Sequence, residues 1–324
     1  MSGIEDGFQI KYHNRTKLIN DRYEIIREMK GGMGIVYACA DLQNSNFPVA
    51  IKSIKFDQTT YPKSLNLFLR ECENWISLGR LPNLVHATEV FSVDSTYYLK
   101  MDLISPFEGL NDASLYSWIY GQSAYSLQDS LKICIQIANG MKNAVDKKTG
   151  LIHGDLKPEN ILIDQEKNVY ITDFGLSRVI LENETPGPLL DEHNCNEEPS
   201  LNFGGTALYM APEQWDSNDK NDQSVDFFAF GCIFFELLTK QPLNPGRTLQ
   251  EIQSYSNLLA GRLKFVADRR IREIIASCTH PDPTRRYRNW RKLLEDLKRY
   301  YSSLVGEELV TYSVDDQDDE NMET

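Results

Sequence analysis

Asp155, Lys157, Asn160 and Asp173 lie in one short stretch and form an inventory suited to one kind of chemistry. Two carboxylates, an amide and an ammonium offer a proton acceptor, hard oxygen ligands for Mg²⁺ and one fixed positive charge. Phosphoryl transfer needs such a set, because its catalysis is mainly positioning and charge neutralisation around the oxygens of the transferred group. The spacing shows how these side chains would meet. The polar cluster His153-Gly154-Asp155-Leu156-Lys157-Pro158-Glu159-Asn160 is followed by Ile161-Leu162-Ile163, a polar turn over 164–168, Val169-Tyr170-Ile171, and then Thr172-Asp173-Phe174-Gly175. Two short apolar runs around a polar turn predict a β-hairpin, which returns Asp173 to the loop that carries Asp155.

The rest of the chain supplies the elements that must hold this hairpin and whatever it acts on. Strands are predicted at 23–28, 35–38 and 48–52, with Met29-Lys30-Gly31-Gly32-Met33-Gly34 between the first two. Glycines in such a turn let backbone amides approach phosphate oxygens with no Cβ in the way. Lys52 closes its apolar strand, a place where a lysine by itself simply snorkels. Over 64–78 the residues Leu65, Phe68, Leu69, Cys72, Trp75, Ile76 and Leu78 recur at helical spacing. Glu71 lies within this helix, while Glu73 faces away if Cys72, Trp75 and Ile76 mark its core side. Leu84-Val85 and 90–93 alternate with 97–101 as two further antiparallel strands. Leu127, Leu131, Cys134, Ala138, Met141 and Val145 form the buried stripe of a long helix, whose role is core packing. The apolar run 225–238, broken by Asp226, Gly231 and Glu236, reads as a buried helix, and 268–277 and 287–304 as closing helices.

The 324 residues allow one large domain or two modest lobes, and 41% hydrophobic with 25% charged residues is ordinary for a globular protein. No signal peptide and no run long enough to cross a bilayer is expected. The six cysteines are widely spaced and form no Cys-x-x-Cys pair, so neither a zinc site nor a disulfide framework is expected, and a reducing cytoplasm is the default. The net charge of -13 is unevenly placed. Segments 182–198 and 306–324 are acidic and lack Lys and Arg, which leaves a nearly neutral body and two segments expected to be mobile. With no basic stripe, nucleic acid is not an expected partner.

The stretch from His153 to Gly175 closely resembles the catalytic and metal-binding loops of protein kinases, and the resemblance extends over 21–304. It is closest to the soluble, eukaryotic-like serine/threonine kinases that bacteria also carry. The resemblance implies an α+β, bilobal fold: a 1–20 extension, a β-rich N-lobe over 21–101, a hinge at 102–108, a mainly helical C-lobe over 109–304 and an acidic tail at 305–324. ATP in the cleft, Mg²⁺ (with Mn²⁺ as a substitute) and protein substrates, basic ones among them, follow from the family. Asp155 then corresponds to the base, Lys157 to the lysine that steadies the γ-phosphoryl group, and Asn160 and Asp173 to the Mg²⁺ ligands. Lys52 matches the lysine on the α- and β-phosphates and Glu71 its helix partner. Gly31 and Gly34 match the second and third glycines of Gly-x-Gly-x-x-Gly-x-Val, with Val36 its valine and Met29 standing where the first glycine belongs. Ala50, Met101 (as gatekeeper) and Leu162 would contact the nucleotide. Backbone groups of Asp102 and Ile104 would read the adenine edge, and Glu108 the ribose, with Asn111 and Asp112 as alternatives.

Farther on, Phe203 to Glu213 resembles the end of a kinase activation segment. Thr206 matches the threonine that links base and lysine, Glu213 a partner for Arg286, and Asp226 and Gly231 scaffold positions of the central helix. His153 and Phe174 are expected to pack rather than react. Two features depart from the family pattern. Gly154 stands where most kinases have the arginine that grips a phosphorylated activation loop (Arg178 being a partial substitute), so strict dependence on loop phosphorylation is not expected. The activation segment, Asp173 to Glu213, also carries an acidic insert that either attracts basic substrates or covers the site. Two other readings compete. His-Gly-Asp also occurs in aminoglycoside and choline kinases, which share the fold, but Lys157-Pro158-Glu159-Asn160, Thr206 and Ala211-Pro212-Glu213 speak against a small-molecule phosphotransferase. A nucleotide-binding pseudokinase scaffold draws support only from Met29 and Gly154.

Overall fold

The computed structural model describes residues 18–31, 34–55, 62–94, 96–122, 124–174, 206–215, 222–255, 258–307 and 309–312. The chain divides into two units, Met1–Pro62 with Ala87–Leu103, and Lys63–His86 with Ile104–Thr324. The first is built on a sheet and the second mainly on helices, the α+β organisation that the resemblance implies.

The sheet unit contains β1 (Leu18–Ile19), β2 (Tyr23–Gly31), β3 (Gly34–Asp41), β4 (Phe47–Lys55), β5 (Ala87–Val93) and β6 (Thr96–Asp102), in the spatial order β1-β2-β3-β4-β6-β5 with every neighbour antiparallel. Leu84-Val85 is not a strand of this sheet, because its backbone pairs with Ile171 instead. Alternation gives the sheet two faces. One carries the core of Ile19, Tyr23, Cys39, Val49 and Ile51, with Ile25, Tyr37, Phe91 and Tyr98 packed against it. A stack runs along this face, with Phe91 5.6 Å from Tyr23 and 5.4 Å from Tyr98.

An ion cluster closes the edge of that core. The fully buried Asp41 accepts from Arg22 Nε and Nη2, both at 2.7 Å, and from Lys100 Nζ at 3.2 Å. Both cations lie over the Tyr23 ring, whose hydroxyl donates to Glu89 at 2.6 Å. Paired with Arg22 first and Lys100 next, the Asp41 carboxyl is held down at about 2.

The helical unit contains α1 (Pro62–Ile76), α2 (Leu115–Gly121), α3 (Leu127–Lys147), the hairpin β7 (Ile161–Ile163) and β8 (Val169–Ile171), α4 (Ser224–Thr239), α5 (Leu249–Tyr255), α6 (Arg269–Cys278) and α7 (Trp290–Val305). A capping box of Ser126 and Asp129 starts α3, which packs against α7 and β8. Helix α4 is apolar on all sides and buried throughout, as a central helix must be. Its two buried charges, Asp226 and Glu236, both have partners among the segments described below. Among the described residues, no helix is long and apolar enough to cross a membrane.

A depressed carboxyl contributes stability above its unfolded-state value of about 3.9, and that contribution is lost as pH falls toward 2. Asp41→Asn is therefore expected to lower stability at neutral pH by about 3 kcal/mol, since it breaks a buried ion cluster. Its stability should also vary less than the wild type's between pH 4 and pH 2. Urea unfolding across that range reads both effects, and parallel pH profiles would show that the cluster contributes nothing.

Candidate active site

The loop after α3 turns at Gly150 (φ +78°) and runs through Leu151 and Ile152 to His153. Asp226 of α4 fixes it from below: Oδ2 accepts the His153 N–H and Oδ1 the Gly154 N–H, both at 2.8 Å. Gly154 has φ +79°, a left-handed conformation in which a Cβ costs roughly 1–2 kcal/mol. His153 is fully buried, and its Nε2 meets the Thr172 carbonyl at 2.9 Å while Nδ1 accepts the Asp155 N–H at 3.2 Å. A carbonyl only accepts, so the proton sits on Nε2 and the ring is the neutral tautomer. Its face meets Phe174 at 4.7 Å, and Phe174 lies 6.3 Å from Trp75. Both rings pack, as the sequence suggested.

The structure brings together the loop residues singled out by their chemistry. Asp155 Oδ2 accepts from Asn160 Nδ2 and from Lys157 Nζ, each at 2.9 Å. Asn160 Nδ2 also donates to the Asp155 carbonyl at 2.8 Å, and Lys157 Nζ donates to Thr206 Oγ1 at 2.6 Å. Asp155 Oδ1, though buried, has no hydrogen-bond partner among the described residues. One carboxylate oxygen is thus pinned and the other left as an acceptor. The hairpin forms with Ile161 opposite Ile171 and Ile163 opposite Val169. Just beyond it the Thr172 N–H donates to the Asn160 carbonyl at 3.0 Å, which ties the approach to Asp173 to the loop. Asp173 has φ +66°, a strained conformation for a residue with a Cβ. Asn160 uses its amide nitrogen on Asp155, so what its side chain has left to offer is an oxygen, the kind of donor, like a carboxylate of Asp173, that suits a hard cation.

In the sheet unit the register places Met29, Val36, Lys52 and Leu99 on one rung and Ala38, Ala50 and Met101 on another. Residues two apart along a strand share a face, so Val36, Ala50, Lys52 and Met101 line the side opposite the aromatic core. Ala50, Lys52 and Met101 are buried. Gly31 pairs with Gly34 at the ends of β2 and β3, and the intervening Gly32-Met33 lies outside the described residues. Asp102 ends β6, and Ile104 lies outside any helix or strand.

Glu71 is on the buried side of α1, where Asn74 Nδ2 donates to its Oε2 at 3.2 Å, and Glu73 is exposed. Glu108 is exposed beside Gly109, whereas Asp112 is occupied by the start of α2, accepting from the Ser114 N–H and Ser117 Oγ. Leu162 is half-buried on β7.

The segment after the insert docks on α4. Glu213 and Arg286 form a two-pronged pair at 2.5 and 2.8 Å, and Arg286 also bonds to carbonyls of Ser224, His280 and Pro281. Glu236 accepts from Tyr120 at 2.5 Å and Tyr209 at 2.6 Å. Burial pushes its carboxyl up, and the two hydroxyls pull it back. Sequence reasoning did not find this triad. Nor did it find the amides of Gln136, Asn139 and Asn143, although their i, i+3, i+7 spacing puts polar groups on one side of a helix read only as core. The acidic insert, Arg178, Gly175, Phe203-Gly204-Gly205, the chain before 18 and the tail after 312 lie outside the described residues.

The family model for the protein kinase domain matches residues 23–297. The serine/threonine-protein kinase PrkC of Bacillus subtilis is 28% identical over 293 residues, covering 89% of this chain and 42% of that protein. The probable serine/threonine-protein kinase PknB of Lactococcus lactis is 30% identical, with 69% of this chain and 32% of that protein covered. The serine/threonine-protein kinase cds1 of Schizosaccharomyces pombe is 30% identical, with coverage of 70% and 46%. The chain thus spans less than half the length of these curated relatives. A small-molecule phosphotransferase is not favoured by any of these similarities.

Asp226→Asn keeps the size of the side chain but turns an amide N–H toward one of the two backbone N–H groups. It is expected to destabilise the protein by about 2–4 kcal/mol, since a buried donor loses its charged acceptor. Chemical denaturation tests this, and an unchanged midpoint would mean that other contacts hold the loop.

Proposed function

Because the chain belongs to the protein kinase family, we propose that it transfers the γ-phosphate of ATP to serine and threonine hydroxyls of protein substrates. The observation that carries this reading is the state of Asp155, with Oδ2 held by Asn160 and Lys157 and Oδ1 left as a buried acceptor. Oδ1 accepts and orients the proton of the substrate hydroxyl. Lys157 keeps a donor beyond its bonds to Asp155 and Thr206 and steadies the transferring group. Its link to Thr206 favours Ser/Thr over Tyr acceptors.

Asn160 and Asp173 hold Mg²⁺, with Mn²⁺ as a substitute. The metal, when bound, neutralises charge on the phosphate oxygens. Lys52 binds the α- and β-phosphates and Glu71 serves as its helix partner. Gly31 and Gly34 offer backbone amides to phosphate, while Val36, Ala50, Met101 and Leu162 give apolar contacts to the base. Backbone groups of Asp102 and Ile104 read the adenine edge, and Glu108 the ribose, the role for Asp112 being less suited since its carboxylate already accepts from the Ser114 N–H and Ser117 Oγ.

Basic protein substrates are proposed on the acidity of segment 182–198. A reducing, cytoplasmic setting suits the described cysteines, all buried thiols; burial alone pushes Cys39 up to about 12. With Gly154 in place of a phosphate-gripping arginine, activity does not depend strictly on phosphorylation of the activation segment.

Incubation with labelled ATP and a generic basic protein tests the reading. Label on protein supports it, label only on small acceptors favours the small-molecule reading, and no label favours a scaffold. Asp155→Asn is expected to lower the rate by about 10²–10⁴-fold with nucleotide binding retained. Phosphatase treatment of active enzyme should leave the rate intact, and its collapse would refute independence from loop phosphorylation.

A further inference from the structure

Among the described residues no strand of a sheet lies along the outer edge of β8, yet its backbone groups are satisfied. The Val169 N–H donates to Gln136 Oε1 at 2.9 Å, and the Val169 carbonyl accepts from Asn83 Nδ2 at 3.0 Å. The Ile171 N–H donates to the Asn83 carbonyl, and the Ile171 carbonyl accepts the Val85 N–H, each at 2.9 Å. Asn83 is itself held at φ +64°, and its Oδ1 accepts from Asn139 Nδ2 of α3 at 2.9 Å. Gly140 allows this approach: a Cβ there would lie 2.8 Å from the Asn83 carbonyl oxygen and 3.1 Å from Ile171 Cδ1.

The ladder ends on the segment that was expected to be a free tail. The Tyr312 carbonyl accepts from Asn139 Nδ2 at 3.0 Å and from Asn143 Nδ2 at 3.3 Å, and Thr311 Oγ1 accepts from Lys298 Nζ at 3.2 Å. Asn139 and Asn143 are buried, whereas the Val310 and Tyr312 side chains are exposed, so backbone rather than side chain makes the dock. Removing this carbonyl leaves two buried amides short of an acceptor in an interior where such groups must pair.

We infer that residues 309–312 act as an intramolecular latch on the hairpin that carries Asp173, with Asn83, Asn139 and Asn143 as its positioning residues. The chain of contacts runs from the Tyr312 carbonyl through Asn139 to Asn83, from Asn83 to Val169 and Ile171, and through Thr172 to Asp173. Asp173 is strained at φ +66°, so its placement depends on what holds the strand before it. The catalytic consequence rests on the kinase reading, in which Asp173 holds Mg²⁺. The mechanical one does not.

Two shortened chains separate the latch from the acidic tail: one ending at 308, one ending at 312. The chain ending at 308 is expected to exchange amide hydrogens of 169–173 about tenfold faster, with α4 exchange unchanged. Its half-saturating Mg²⁺ concentration for ATP turnover should rise several-fold, more than its kcat falls, and a peptide of sequence 306–314 should restore both. The chain ending at 312 should behave as the full chain. Asn139→Ala in the full chain should reproduce the effect of ending at 308, and serves if that chain does not fold. Unchanged exchange in 169–173, or exchange that rises equally in α4, overturns the latch. If the intact chain turns over no ATP the kinase reading fails, and the exchange measurement still decides the latch.

Discussion

A buried carboxylate on an apolar helix is the constraint on which the catalytic loop depends. Asp226 lies among the phenylalanines of α4, where an unpaired charge would be prohibitive. It is tolerated because both oxygens receive backbone N–H groups, those of His153 and Gly154. The same two bonds fix the direction of the chain at the residue before Asp155, where a left-handed φ would strain any residue but glycine. The cost of burying Asp226 and the geometry of the loop are thus one interaction. Deleting either side leaves the other unsatisfied.

From that anchor the polar groups divide their capacities with little overlap. His153 gives its one N–H to the Thr172 carbonyl and uses its other nitrogen as acceptor for Asp155. Asn160 gives its nitrogen to Asp155 and its backbone carbonyl to Thr172, and its side-chain oxygen remains. Lys157 bridges Asp155 and Thr206, which lies beyond the long insert in sequence. Low local dielectric strengthens such a network and penalises any gap in it. An acceptor left over in this setting, Asp155 Oδ1, is therefore an informative group.

Much of this was legible in the sequence, for identifiable reasons. The hairpin showed itself because Ile161-Leu162-Ile163 and Val169-Tyr170-Ile171 are short apolar runs flanking a polar turn, a pattern that depends on neighbours alone. Helix α3 was legible from its apolar stripe, and α4 from an apolar run that Asp226, Gly231 and Glu236 interrupt without ending. Boundaries moved by a residue or two: α1 begins at Pro62 and stops at Ile76, short of the expected 78. What stayed hidden depends on partners far away in sequence. Leu84-Val85 reads as a strand from its own residues but is claimed by Ile171. The Asp112 carboxylate accepts from the Ser114 N–H and Ser117 Oγ at the start of α2, a use that no local pattern marked. Tyr120, Tyr209 and Glu236 meet from three separate elements, and no local pattern announces such a meeting.

Under the proposed function, two routes for controlling the hairpin have different physical standing. An arginine before the catalytic aspartate would connect the loop to a phosphate on the activation segment, but Gly154 has no side chain with which to do so. The hairpin's other flank is instead held by neutral amides, whose bonds are insensitive to salt and pH because no ionisable group takes part. Such a device cannot be switched by charge alone. It responds to whether its terminal acceptor, a backbone carbonyl of the chain's own C-terminal segment, is docked or withdrawn. Control of this site then shifts from chemical modification of a loop toward the docking of residues 309–312.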